Sequence, residues 1–133
     1  MPAYDESLFA PPAPIAVATL RHPDHEERRT QMLMLIDSGA DATLLPRSAV
    51  AALGITGTDE RYQLMAFDSA VSESEAVRAD LLLLNKRFRG SFLLTESEIG
   101  VVGRNILNHV RVLLDGPGLS WSEFPLQPSD TSR

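Results

Sequence analysis

An apolar run followed at once by a polar turn constrains the fold of this chain more than any other feature. Residues Met32–Ile36 are all apolar, and Asp37-Ser38-Gly39 follows them directly. Such a run predicts a strand that is buried on both faces. A carboxylate at the end of a buried strand costs free energy unless it is hydrogen-bonded or paired. Because glycine lets backbone amides approach and serine can bond nearby backbone, the turn itself is expected to hold Asp37.

A second segment repeats this plan later in the chain. Ile99–Asn108 contains an apolar pair, a glycine turn with Arg104, and then a short helical pattern. Taken alone, each segment has an ordinary interpretation. Asp-Ser-Gly fits an Asx-turn at a strand end. The two glycines of the second segment, Gly100 and Gly103, lack the lysine and further glycines of a phosphate-binding loop.

Together and in this order, the two segments resemble the retroviral-type aspartic proteases (retropepsins) and their stand-alone cellular relatives. The resemblance covers residues 14–124. It implies that Asp37, Ser38 and Gly39 are the catalytic triplet. It also implies that Arg104 pairs with Asp41, four positions past the catalytic aspartate, as structural support. The fold it implies is an all-β, retropepsin-like closed barrel with one or two short helices, completed as a homodimer.

Short strands separated by turn signals predict the same fold class without the resemblance. A helix is predicted after Pro46, with Gly54 just past its end. We divide the chain into a Pro-rich extended lead-in (1–13), one domain (14–124) and a polar tail (125–133) that is expected to be disordered. The predicted strands are 15–20, 30–37, 43–45, 61–67, 75–84, 87–95, 110–115 and 119–124.

The number of carboxylates predicts the assembly. Peptide hydrolysis by carboxylates requires two, one to activate water and one, protonated, to polarise the carbonyl. The chain has a single Asp-Ser-Gly, and Asp115-Gly116 lacks the hydroxyl residue and fits a hairpin turn instead. The second carboxylate is therefore expected from a second copy, with Asp37 facing Asp37 across a two-fold axis. The resemblance implies the same arrangement, with the Ser38 hydroxyls bracing the two loops.

The stretch Asp68–Ser74 lies between two predicted strands and is expected to be a hairpin that closes over substrate, a flap. The alternative is a plain surface hairpin. Viral flaps are glycine-rich at the tip, whereas this chain has no glycine between Gly57 and Gly90. The residues expected to contact an extended peptide are Gly39, Ala40, Asp41, Phe67, Asp68, Ser69, Ala70, Val71 and Val102.

Composition and charge exclude several other functions. A formal net charge of −6 argues against a nucleic-acid partner. No apolar run reaches membrane-spanning length and the N-terminus is acidic, so we expect a cytoplasmic protein without a membrane partner. The chain has no cysteine and therefore no thiol nucleophile. His22 and His25 have a metal-ligand spacing but no third ligand, so neither a metal nor another cofactor is expected.

Three functions remain open, and we favour the first. It is a homodimeric aspartic endopeptidase acting on peptide or protein substrates. The second is a non-catalytic dimeric module of the same fold that binds an extended peptide, in which the two Asp37 carboxylates stand too far apart. The third is a metal-dependent hydrolase built on His22, His25 and nearby acids, which sensitivity to chelators would reveal.

Overall fold

The computed structural model describes residues 2–65 and 71–124, with the side chains of all of these except 57–65 and 71–74. Within those ranges the chain forms mostly strands and two short helices, as predicted. The strands are β1 (Tyr4–Asp5), β2 (Ala13–Arg21), β3 (Arg29–Ile36), β4 (Leu44–Pro46), β5 (Gly57–Met65), β6 (Val71–Leu83), β7 (Lys86–Thr95), β8 (Gly100–Val102), β9 (Val112–Asp115) and β10 (Ser120–Glu123). The helices are α1 (Arg47–Ala52) and α2 (Arg104–Leu107). The predicted disordered tail, 125–133, lies outside the described residues.

Six strands close into a barrel in the order β2-β3-β8-β4-β7-β6, because β6 pairs with β2 as well as with β7. The pairs β3–β8 and β4–β7 are parallel, and the other pairs of the ring are antiparallel. Outside the ring, β1 pairs with β2 and β5 pairs with β6. The predicted closed barrel is therefore confirmed.

Strand β2 shows how the sequence builds the barrel wall. Ala16, Ala18 and Leu20 are buried, whereas Val17 between them is 60% exposed. Successive side chains of a strand point to opposite faces, so one face of β2 lies on the core and the other faces outward. The core is completed from the other strands, both helices and the turn after α1, chiefly by Met32, Met34, Leu45, Val50, Leu53, Val77, Leu81, Phe92, Val102, Ile106 and Trp121.

The expectation that Met32–Ile36 is buried on both faces is wrong. Met32 and Met34 face the core, but Leu33 is 41% exposed. Leu33 lies opposite Val17 of the neighbouring strand, on the outer face of the wall. The strands of a closed barrel alternate between interior and exterior, so an apolar run in this position leaves some of its side chains outside.

A buried carboxylate connects three strands of the wall. Asp80 of β6 is fully buried, and it lies opposite Arg21 of β2 and Arg89 of β7. Arg89 donates from Nε to Oδ1 at 2.7 Å and from Nη2 to Oδ2 at 3.0 Å, and Arg21 donates from Nη2 to Oδ2 at 2.9 Å. The two hydrogen bonds from Arg89, together with the one from Arg21, outweigh the cost of burial and lower the pKa of Asp80 to about 2.

The C-terminal hairpin packs against the start of the chain. Strands β9 and β10 flank a turn in which Asp115 Oδ1 accepts a hydrogen bond from the Gly118 N–H at 3.0 Å. The interpretation of Asp115 as a hairpin-turn aspartate is therefore confirmed. Trp121 of β10 is 2% exposed, and its indole N–H donates to the carbonyl oxygen of Ile15 at 2.9 Å. The backbone of Ala3 forms a bridge with Ser120, which joins the lead-in to this hairpin.

Candidate active site

The topology of the sheet decides where the predicted catalytic aspartate lies. Strands β3 and β4 are both neighbours of β8. The loop that joins them, residues 37–43 (the Asp37 loop), therefore crosses the end of β8 at Gly103. A side chain at Gly103 would collide with the carbonyl group of Ala42. The second glycine of the Ile99–Asn108 motif is thus required by this crossing and not by a phosphate group.

Backbone groups hold Asp37 in place. Its N–H donates to the carbonyl oxygen of Val102 at 3.1 Å, and its own carbonyl oxygen accepts from the Ala40 N–H at 3.2 Å. Its side-chain Oδ1 accepts from the Gly39 N–H at 2.9 Å. A Cβ atom on residue 39 would lie 3.1 Å from that oxygen, which is a tight contact. The expectation that glycine lets a backbone amide reach the carboxylate is confirmed, and Asp37 remains half-buried rather than enclosed.

Hydrogen bonds fasten the Asp37 loop to the start of α2. The Gly103 N–H donates to Thr43 Oγ1 at 3.1 Å, and the Thr43 hydroxyl donates to Asn105 Oδ1 at 2.7 Å. The Arg104 N–H donates to the carbonyl oxygen of Ala40 at 2.8 Å. Sequence reasoning missed Thr43 and Asn105. The signal that could have found Thr43 was a hydroxyl residue between apolar neighbours, which indicates a buried hydroxyl. Thr43 is indeed 1% exposed, and a buried hydroxyl needs a hydrogen-bond partner.

The predicted ion pair between Asp41 and Arg104 is not formed. Both residues are exposed, and no ion pair joins them among the described residues. Instead Arg104 Nη1 donates to the carbonyl oxygen of Ser38 at 2.8 Å. The apolar side chain of Ile106 turns into the core, whereas Arg104 at the start of α2 turns outward and reaches the backbone of the loop.

The predicted substrate-contacting residues divide into two groups. Gly39 and Asp41 are exposed and Ala40 is half-buried, all beside Asp37 on the same loop. Val102, by contrast, is completely buried in the core, so its prediction as a substrate contact is wrong. Because neighbouring residues of a strand face opposite ways, Val102 points into the core and Val101, which is half-buried, points to the other side of β8.

The outer side of the Asp37 loop borders an apolar cleft. Ser38 is exposed on this side. The cleft has a volume of about 330 Å³ and is lined by Ile36, Ser38, Leu107, Val110, Arg111, Val112 and Leu114. Leu114 is 52% exposed, so a considerable apolar area lies next to the Ser38 hydroxyl. The fold thus places the predicted catalytic triplet beside an uncovered apolar surface of the C-terminal hairpin.

The predicted flap falls partly outside the described residues. Phe67, Asp68, Ser69 and Ala70 are not described, and of Val71 only the backbone is described. Strands β5 and β6 are antiparallel neighbours up to Met65 and Val71, so they form the two arms of a hairpin. At the base of that hairpin, Arg47 Nη1 lies 3.7 Å from Glu75 Oε2, and Arg47 Nε donates to Glu96 Oε1 at 2.7 Å.

The two histidines with metal-ligand spacing lie against each other. The rings of His22 and His25 contact each other with centroids 4.7 Å apart. Across the part of the chain that the structure describes, no three or more histidine, aspartate or glutamate side chains converge on a common point where an ion could bind. No described helix is long and apolar enough to cross a membrane.

Comparison with solved structures identifies the fold. The structure of the protease of EIAV, in complex with the inhibitor HBY-793, matches with a TM-score of 0.55 and 17% sequence identity, covering 73% of this chain and 86% of that chain. No protein-family model and no curated protein matches the sequence. At this identity the likeness concerns the fold alone, and the fold of this chain is that of the retropepsin-like barrel.

Proposed function

We propose that this protein is an aspartic endopeptidase that works as a homodimer. The observation that carries the proposal is the state of Asp37. Its carboxylate stands at the end of a barrel strand, half-buried and held by the Gly39 N–H, in a fold similar to that of a viral protease. An Asx-turn would also have the Gly39 bond, but here the second motif also holds the Asp37 loop, through hydrogen bonds at Val102, Gly103 and Arg104. A catalytic carboxylate must be held in a fixed position in this way.

The chemistry needs a second copy of the chain. One Asp37 carboxylate takes a proton from a water molecule while the water oxygen attacks the peptide carbonyl carbon. The other Asp37, protonated, donates a hydrogen bond to the carbonyl oxygen and stabilises the charge that develops there. The first Asp37 then gives the proton it took from water to the amide nitrogen, the C–N bond breaks, and the amine leaves. Two carboxylates in one site separate their pKa values, so that one proton is shared between them. In this arrangement the exposed Ser38 hydroxyls brace the two loops against each other.

An extended peptide is the substrate that this site would accept. Gly39 and Asp41, which are exposed on either side of the half-buried Ala40, are the residues of the loop that would pair with a peptide main chain by strand addition. The hairpin of β5 and β6 would cover the peptide from the other side. Arg47, through its contacts with Glu75 and Glu96, ties the base of this hairpin to the barrel.

The test is the variant Asp37→Asn, which keeps an oxygen for the Gly39 N–H but cannot act as the base or share a proton. We expect peptide cleavage to be abolished while the melting temperature changes little. Wild type, Asp37→Asn and the exposed control Asp24→Asn are incubated with a diverse peptide pool, and the products are read by mass spectrometry.

The possible outcomes separate the candidate functions. Cleavage by the wild type and Asp24→Asn but not by Asp37→Asn supports the proposal. Equal cleavage by all three proteins rules out the aspartic mechanism. Binding of peptides without cleavage by any of them would assign the chain to a non-catalytic peptide-binding module of the same fold.

A further inference from the structure

Strand β7 has a free edge over most of its length. On one side it pairs with β6 in unbroken register from Lys86 to Leu93. On the other side β4 pairs with residues 93–95 only. In the described part of the chain, residues 86–92 therefore have no strand beside them on that side. A strand edge of this kind is a template for pairing with another chain.

The hydrogen bond next to β4 fixes which backbone groups of β7 point towards the free edge. The Leu93 N–H donates to the carbonyl oxygen of Thr43, just before β4, at 3.2 Å. The backbone groups of successive residues in a strand point to alternate edges. Arg87, Arg89 and Ser91 therefore direct their N–H and C=O groups towards the free edge, whereas the residues between them bond to β6.

A groove lies along this edge. It has a volume of about 620 Å³ and is lined by residues 86–92 of β7 and by Asn105, Ile106 and His109, in and just after α2. Pockets that bind ligands typically have volumes of about 300–1,000 Å³, so the groove has room for a bound segment. None of residues 37–41 lines it, so the groove is separate from the candidate active site.

The fold of this chain does not require the glycine at position 90, in the middle of the free edge. The register of β7 with β6 is unbroken there, so Gly90 marks no bulge. Its φ lies outside the left-handed region, and a Cβ atom on it would meet nothing within 4 Å. A glycine inside a strand lowers stability and often marks a bulge or a place where a ligand or another backbone comes close. Since there is no bulge, Gly90 indicates the close approach of another chain.

The two faces of β7 differ in chemistry along this edge. Side chains two residues apart share a face, so Arg87 and Arg89 lie on one face and Phe88 and Gly90 on the other. Arg87 is exposed and forms no ion pair with another described residue, whereas Arg89 is bound to Asp80. None of the described residues that line the groove is acidic, although the formal net charge of the chain is −6. A strand added here would have a basic face on one side and an apolar face on the other.

We propose that the free edge of β7 binds an extended peptide segment of another protein in which acidic and apolar residues alternate. Its backbone pairs with Arg87, Arg89 and Ser91, its acidic side chains face Arg87, and its apolar side chains cover Gly90 beside Phe88. In strand addition, main-chain hydrogen bonds give affinity and alternate side chains give specificity. The inference does not depend on the proposed function, because the groove lies apart from the Asp37 loop.

The arginines also select this occupant over a second copy of the chain. If two β7 edges paired with each other, Arg87 and Arg89 of one copy would lie against the same cations of the other. Like charges across two strands destabilise the pair, and charged side chains are a common protection of strand edges against self-pairing. Acidic side chains in the added strand replace this repulsion with attraction.

The test uses a synthetic peptide that alternates glutamate and valine, EVEVEVE with both ends blocked, and nuclear magnetic resonance of the isotope-labelled protein. At a peptide concentration of about ten times its Kd, hydrogen exchange of the amides of Arg87, Arg89 and Ser91 should slow about tenfold, because only the free protein exchanges there. Exchange at Phe88 and Gly90, whose amides already bond to β6, should stay unchanged.

Two control peptides separate charge from backbone pairing. QVQVQVQ keeps the shape and the main chain but has no charge, and it should bind about tenfold more weakly. EVEVEVE with every peptide nitrogen methylated has no main-chain donors and should not bind.

Variants of the protein test the same two contributions. Arg87→Glu places a like charge beside the glutamates and should weaken binding about tenfold. The matched control is Arg78→Glu, exposed on β6 and separated from the free edge by β7, which should bind as the wild type does. Ser91→Pro removes an N–H that takes no part in the ladder with β6, so it should weaken binding in a chain that still folds. If Ser91→Pro does not fold, the comparison of Arg87→Glu with Arg78→Glu still decides.

The outcomes separate this edge from other sites for the peptide. Slower exchange at Arg87, Arg89 and Ser91, with binding weakened by Arg87→Glu and not by Arg78→Glu, supports the proposal. Protection of residues 39–41 in place of these amides would show that the peptide enters the candidate active site alone, and it would overturn the proposal. Equal binding of EVEVEVE and QVQVQVQ also overturns it. Protection of the β7 edge that rises with protein concentration in the absence of peptide would assign the edge to a second copy and overturn it as well.

Discussion

At the scale of single residues, one buried hydroxyl connects the two motifs of the sequence. Thr43 accepts a hydrogen bond from the Gly103 N–H and donates one to Asn105 Oδ1. Because Gly103 is itself buried beneath the Asp37 loop, its N–H has no access to water as a substitute partner. The position of Asp37 thus depends on a residue that plays no part in the proposed chemistry.

The variant Thr43→Val should reveal this dependence. Valine has nearly the same shape but no hydroxyl, so the buried Gly103 N–H loses its acceptor and the free energy of unfolding should fall by about 1–3 kcal/mol. Thr43→Ser keeps the hydroxyl and should lose less. The measurement is urea denaturation of the three proteins. Equal losses in the valine and serine variants would mean that packing, and not the hydroxyl, is what matters at this position.

The buried Asp80 gives the molecule a defined response to acid. Its pKa in the folded chain is about 2, below the ordinary value of 3.8, so the unfolded chain takes up the proton first as the pH falls. The stabilisation is therefore complete above about pH 4 and is lost between about pH 4 and pH 2. The difference in pKa corresponds to about 2 kcal/mol of unfolding free energy.

In Asp80→Asn we expect lower stability at pH 7 and a much smaller further loss between pH 4 and pH 2. Denaturant unfolding measured across this range checks both expectations. Glu6→Gln, an exposed site, is the matched control and should follow the wild type. If Asp80→Asn and the wild type lost the same stability between pH 4 and pH 2, Asp80 would not be the group that titrates there.

At the scale of secondary-structure elements, the short helix α2 acts as a support for the Asp37 loop. Its four residues are too few to form a stable helix alone. It is held by burial of Ile106 in the core and by the hydrogen bonds that join Asn105 to Thr43 and Arg104 to Ser38 of the loop. The loop and α2 therefore form one unit in which each holds the other in place.

Removing the Arg104 side chain should loosen this unit only moderately. Its guanidinium donates to the exposed Ser38 carbonyl, and a hydrogen bond of this kind contributes about 0.5–1.5 kcal/mol, less than the ~3–5 kcal/mol of a broken buried ion pair. We therefore expect a small loss of stability in Arg104→Ala and almost none in Asp41→Ala. A double-mutant cycle by denaturant unfolding should give additive losses. Strong coupling between the two residues would mean that the predicted ion pair does form.

At the scale of the whole molecule, the proposed site is complete only in a pair of chains. Each chain supplies one Asp37, and the surface beside it is an uncovered apolar cleft. We therefore expect specific activity to fall steeply when the protein is diluted below its dimer dissociation constant. Activity and sedimentation measured over the same dilution series test this. Unchanged specific activity in a sample that sediments as a monomer would contradict a shared site.

The sequence by itself determined the elements and the class of fold. Turn signals between short apolar segments placed β2 and β7 within one or two residues, and Pro46 and Gly54 marked the two ends of α1. These signals are local, because a strand face, a helix start or the positive φ of 69° at Gly54 depends on residues close in the chain. The Asp37 turn was also predictable from local sequence, because its glycine and its carboxylate are only two residues apart.

Tertiary structure alone decided which side chains meet. Leu33 and Val102 belong to similar apolar runs, yet one lies outside the barrel and the other in its core, because closure of the ring assigns each strand an inner and an outer face. Arg104 reaches the Ser38 carbonyl and not Asp41, and Asp80 gathers Arg21 and Arg89 from separate strands. These contacts join residues far apart in the chain, and their geometry depends on strand order and register, which no local pattern contains.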